Sequence, residues 1–206
     1  MALFTRAGFI LVLAFASSAC AGHSPAPETA RIANPDPLRE TPGKSLFVHG
    51  KSLAKMGDYI RAEQYYRAAI AQGYPKAIVV PYLIGACVAA SRMHDALQHA
   101  RPYLEEHPDE WRLRQVTAFI LTALGEHLEA EAELIRVIKD APSEALPHYA
   151  LAVLYRDHLD NAELAKQHFL KYVEKAPRGR HAAESKDAAQ RLQQKKPKNS
   201  DSPRRI

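Results

Sequence analysis

The chain has 206 residues, 47% of them hydrophobic and 25% charged, which suits one globular or repeat domain with unstructured ends. Its formal charge of +5 is confined to those ends: Lys195, Lys196, Lys198, Arg204 and Arg205 against Asp201 give residues 195–206 a net +4, Arg6 supplies the last positive charge, and residues 20–194 balance to zero. A balanced body excludes a nucleic-acid-binding face, which needs a clustered basic stripe on the folded part, and the basic end reads as a solvated tail.

Residues 1–19 read as an export signal, with Arg6 as the positive start and Phe9 to Ala16 as an apolar run. The run is too short to span a bilayer, which takes about 20 apolar residues. Ser17-Ser18-Ala19-Cys20-Ala21-Gly22 follows, with small residues before a cysteine, and resembles a bacterial lipobox. That resemblance implies cleavage before Cys20 and acylation of its thiol and of the new amino terminus. Ser17 stands where the pattern usually has Leu, and Ser17-x-Ala19 also fits ordinary cleavage after Ala19. Several acyl chains on one cysteine give stable attachment where one chain is marginal. Residues 20–42 then read as the lipidated cysteine and a tether, because Pro25, Pro27, Pro35, Pro37 and Pro42 favour an extended spacer. At about 3.1 Å per residue that spacer reaches roughly 70 Å.

From residue 43 to 194 Ala, Leu, Glu, Gln, Lys and Arg dominate, which favours helix throughout. A fixed period runs through this part. Ala62, Ala96 and Ala130 are spaced by 34, as are Gly57, Ser91 and Gly125, and Pro108 and Pro142; Ala165 and Pro177 come 35 after their predecessors, which places one inserted residue near Leu159 to Glu163. At these residues the chain resembles the tetratricopeptide repeat, whose 34-residue unit is two antiparallel helices. The units run 43–76, 77–110, 111–144 and 145–179, and Ala182, Ala183, Ala188, Ala189 and Leu192 make residues 180–194 a capping helix. The expected fold is therefore all-α, an α-solenoid of about four helical hairpins with a C-terminal cap. Small residues mark close helix crossings and large ones fill the gaps beside them. Pro102 is expected to kink or break the second helix of unit two near His99, leaving that unit shorter or splayed, whereas Pro81 falls near the start of a helix where its missing N–H costs little.

In the tetratricopeptide family, positions two, five, nine and twelve of each unit usually point into a concave binding face. The resemblance implies Lys44, Phe47, Lys51 and Ala54, then Ile78, Pro81, Gly85 and Val88. It continues with Arg112, Gln115, Phe119 and Thr122, then Leu146, Tyr149, Val153 and Arg156. The candidate groove is drawn from these as Phe47, Lys51, Arg112, Gln115, Phe119, Tyr149, Val153 and Arg156. On residues 111–124 the apolar stripe reads as Leu113, Val116, Ile120 and Leu124, which leaves Phe119 off the core face. The alternative is that Phe47, Phe119 and Tyr149 pack against neighbouring units. The set lacks the Lys/Asn arrangement with which chaperone-binding members of the family clamp a terminal carboxylate. Aromatic anchors flanked by Lys51, Arg112 and Arg156 suit an amphipathic or extended segment with some acidic character.

No catalytic pattern competes with this reading. The ten histidines include no H-E-x-x-H and read as surface residues, no phosphate loop, nucleophile elbow or C-x-x-C is present, and Cys87 reads as a buried, unreactive thiol. The expectation is a non-enzymatic scaffold with no cofactor and no metal. It is held by Cys20 at the bacterial outer membrane, faces the periplasm and binds cell-envelope proteins through its concave face. Anchor, tether and array are loosely similar to the pilotin lipoproteins that help place secretin rings, and an adaptor for a cell-wall enzyme is the alternative.

Overall fold

A computed structural model of the chain describes residues 37–194. The export signal, Cys20 and the basic tail from residue 195 lie outside the described residues. Every regular element among the described residues is a helix, and none is long and apolar enough to cross a membrane. After a single turn, α1 (Pro37–Glu40), come α2 (Gly43–Lys55) and α3 (Tyr59–Ala71), α4 (Lys76–Ala89) and α5 (Met93–Glu106), α6 (Trp111–Leu124) and α7 (His127–Asp140), and α8 (Leu146–Asp157) and α9 (Ala162–Lys175). Helix α10 (Ala182–Gln194) closes the series against α9. Each pair packs on itself, α3 on α4, α5 on α6 and α7 on α8 join the pairs, and the first helices touch directly at α2–α4 and α6–α8. This is the expected all-α solenoid. Helix α1 lies within the segment read as tether: Leu38 packs against the first pair and the Arg39 carbonyl accepts from Gln72 Nε2 at 2.9 Å.

The 34-residue period has a visible steric cause. Ala62, Ala96, Ala130 and Ala165 are all completely buried where the second helix of each pair crosses its neighbours. At the α2–α3 crossing a Cβ on Gly50 would lie 2.7 Å from the Tyr66 ring, so only a hydrogen fits there. The turn inside each pair repeats as well. Gly57, Ser91, Gly125 and Asp160 hold φ of 80°, 59°, 84° and 47°, the left-handed conformation that ends a helix. The next residue's N–H then reaches back five residues: Asp58 to the Leu53 carbonyl (3.0 Å), Arg92 to Cys87 (2.8 Å) and Glu126 to Leu121 (2.9 Å). In the fourth pair Asn161 reaches back six, to Tyr155 at 2.9 Å. The inserted residue therefore falls between Tyr155 and Asp160, at the leading edge of the stretch expected to hold it.

Both prolines of the second pair depart from expectation. Helix α5 runs unbroken through Pro102 and, at 14 residues, matches α4, α6, α7 and α9. Pro81 sits in the interior of α4 rather than at its start. Pro102 is exposed, as is Gln98, whose carbonyl loses its i+4 donor, so the lost bond falls on the exposed side of α5 and the helix continues. Pro81 and Ala77 stand in the same relation on α4.

The core forms two clusters, and α4 lies between them. Its Val79, Leu83 and Ala86 pack with Leu46, Phe47, Tyr66 and Ala69, while its Val80, Ile84 and Cys87 join the larger cluster that runs through α5–α9 to Ala188 and Ala189 of the cap. A helix apolar on both sides is what a sandwiched position demands. Cys87 is completely buried, and burial, reinforced by the nearby Glu63 carboxylate, pushes its thiol up to about 12.

Candidate protein-binding surface

Helix α6 shows how the sequence builds a surface. Its buried residues are Leu113, Arg114, Thr117, Ala118, Ile120 and Leu121, because the helix packs on α5, α7 and α8 at once. At about 100° per residue the centre of that buried arc lies on the opposite side of the helix from Phe119. Phe119 is 65% exposed, the most exposed aromatic ring among the described large apolar residues. Arg112, Gln115 and Thr122 share its face by helical spacing. Val116, expected in the core stripe, is instead 42% exposed beside Phe119. The expected stripe was centred too far round because Arg114 and Thr117 are polar yet buried. Arg114 pairs with Glu133 at 2.7 Å and donates to the Pro108 carbonyl at 2.8 Å, and Thr117 donates to the Leu113 carbonyl at 3.0 Å.

The same position recurs on other first helices. Val48, Tyr82 and Val116 stand 34 residues apart and are 50%, 44% and 42% exposed. This row is position six of units one to three, one residue past the expected position five, and the period alone was enough to find it. Tyr82 ties the row to the first unit, with its ring edge-on to Phe47 at 5.1 Å and the Lys51 ammonium over it at 5.3 Å. Ile78 on α4 and Leu146 on α8 extend the exposed apolar set on the first helices.

Of the other aromatic candidates, Phe47 is buried and Tyr149 is half-buried. Phe47 is only 7% exposed and packs among Tyr66, Tyr74 and Tyr82. Tyr149 stacks on His181 at 3.9 Å, approaches Phe169 and Tyr172, and donates its hydroxyl to Glu184 of α10 at 2.9 Å. Burial and that carboxylate push its phenol up to about 12, so it remains a donor and fastens the cap to α8. Val153 is half-buried against the same core. The charges also divide. Arg156 is held by Asp157 through Nε at 2.6 Å and Nη2 at 2.8 Å, and its guanidinium lies over Phe169 at 5.3 Å. Lys51 lies over Phe47 and Tyr82, and Arg112 over Trp111 at 4.3 Å; neither pairs with an acid among the described residues. The first-helix face thus offers exposed rings and aliphatics beside two cations that a partner is able to neutralise.

No protein-family model matches the chain, and no curated protein is similar to it in sequence. Solved structures do share its architecture. YrrB, a tetratricopeptide-repeat protein with an unusual peptide-binding site, is 19% identical with a TM-score of 0.62, over 70% of this chain and 74% of YrrB. A tetratricopeptide-repeat protein from Parabacteroides merdae is 20% identical with a TM-score of 0.66, over 74% of this chain and 60% of that one. MamA from Desulfovibrio magneticus, solved from its residue 41 onward, is 16% identical with a TM-score of 0.62, over 74% of this chain and 89% of that fragment. The likeness establishes the fold as a tetratricopeptide-type solenoid.

Proposed function

We propose that the chain is a non-catalytic adaptor, anchored through lipid on Cys20 to the bacterial outer membrane and facing the periplasm, that holds a protein of the cell envelope on the first-helix face of its array. The observation that carries this reading is the exposed apolar row Val48, Tyr82 and Val116 with Phe119 beside it. Such residues, repeated on stacked helices and flanked by Lys51 and Arg112, suit an amphipathic helix or extended segment carrying acidic residues. The likeness to YrrB, whose fold carries a peptide-binding site, supports the same use of this one. Phe47 from the core and the half-buried Tyr149 fix α2 and α8, and Gln115 and Val153 border the face.

Within that role the finer assignments are a pilotin-type factor for a pilus or secretion secretin and an adaptor for a cell-wall enzyme; the identity of a captured partner separates them. The anchor is tested by feeding labelled palmitate to cells. Label enters the wild-type chain and not Cys20→Ala, which leaves the membrane fraction; equal labelling of both refutes the anchor.

A further inference from the structure

We propose that Glu63, Cys87 and His99 form a binding site for one zinc ion that joins the first helix pair to the second. Glu63 comes from α3, Cys87 from α4 and His99 from α5, and a carboxylate oxygen, the Sγ and an imidazole nitrogen lie within 4.8 Å of one another. His99 Nε2 is 3.7 Å from Glu63 Oε1. Tetrahedral zinc, with bonds of about 2.0–2.3 Å, holds its donors roughly 3.5 Å apart, so side-chain shifts of about an ångström gather all three. Thiolate and imidazole with one carboxylate form a borderline-soft set that suits zinc and not magnesium or calcium. Binding replaces the thiol proton, which passes to buffer.

The surroundings fit a metal site better than a buried ion pair alone. Arg92 holds Glu63 Oε2 and is itself held by Asp95, which contacts its Nε at 2.6 Å. That pair accounts for one carboxylate oxygen. The other, Oε1, has Arg67 Nη1 at 3.9 Å and His99 Nε2 at 3.7 Å. The Cys87 thiol and the His99 imidazole thus converge from two further helices on a carboxylate that arginines fix from outside, which is what outer partners do at metal sites. Glu63 and Cys87 are buried, and the His99 side chain is a quarter exposed, which gives the ion a route and leaves its fourth position to water. The spacing 63, 87 and 99 carries no sequence signature, because each ligand sits on a different helix.

The test uses the full-length chain carrying Cys20→Ala, so that the second thiol is absent, stripped with chelator and dialysed against zinc chloride. One zinc is expected per chain, with a raised thermal midpoint, and cobalt in its place is expected to give a thiolate charge-transfer absorption. Cys87→Ser abolishes that absorption, and Cys87→Ser and His99→Gln each weaken zinc binding by more than about tenfold. His99→Gln, at a partly exposed position, serves as the folded control should Cys87→Ser melt early. Failure of the parent chain to bind zinc overturns the proposal, as does undiminished binding by a folded His99→Gln chain.

Discussion

The imidazoles of His148 and His168 face each other through their Nδ1 atoms at 3.0 Å, in an arrangement that needs one of those atoms to be an acceptor. Burial, His168 and the cations of Lys175 and Lys171 push His148 down to about 4 against the opposing pull of Glu174, and burial lowers His168 against that of Glu131. A histidine depressed in the fold leaves the unfolded chain binding more protons between the two values. Its contribution is complete above about 6.5 and is lost as pH falls from there towards 4. The thermal midpoint should therefore fall between pH 7 and pH 5, and His148→Gln should flatten that fall; an unchanged slope in the variant would remove His148 as the cause. The expectation of surface histidines fails at this pair, because spacing along one helix does not reveal two rings that meet across α8 and α9. The buried alanines were legible, since their 34-residue spacing is itself the imprint of the crossings. Ala130→Leu forces extra atoms into a site with no exposure and should destabilise by about 1–3 kcal/mol in thermal or denaturant unfolding. An unchanged midpoint would mean that Ala130 is not at a crossing.

Among the helices, the apolar pattern alone does not say which large residues are core. Phe47 and Phe119 occupy positions five and nine of their units, and both qualified as groove anchors. Helix α2 packs on α3 and α4 and draws Phe47 inward, whereas α6 buries Arg114 and Thr117 and turns Phe119 out. Polar residues hidden by an ion pair and a backbone bond are invisible to a hydrophobic stripe, and for that reason Val116 was misplaced. The contrast is measurable. Phe47→Ala should cost about 3–5 kcal/mol of unfolding free energy, as large-to-small changes in a packed core do. Phe119→Ala should lie within about 0.5 kcal/mol of the parent, as surface changes do. Equal losses would place Phe119 in the core. The prolines teach the same lesson in reverse: Pro81 and Pro102 do not end their helices, because they and the residues whose carbonyls they deprive, Ala77 and Gln98, lie on exposed sides of those helices.

At the scale of the whole molecule, the period dictated the fold. Alanine at the crossings and the left-handed turn at Gly57, Ser91, Gly125 and Asp160 repeat with it, and the one wide turn absorbs the one inserted residue. What the period does not carry is the identity of a partner, which depends on the few side chains that the stacked pairs leave uncovered. The account's central claim is that these side chains on the first helices meet a protein. The most direct measurement puts a photoactivatable phenylalanine analogue at position 119 in one strain and at position 135 in another. Ile135 serves as the comparison because it is also half exposed but lies on α7, a second helix. Illumination of living cells should crosslink one discrete protein from position 119 and not from position 135. The same product at equal yield from both positions, or none from position 119 in a chain that melts like the parent, would contradict the account.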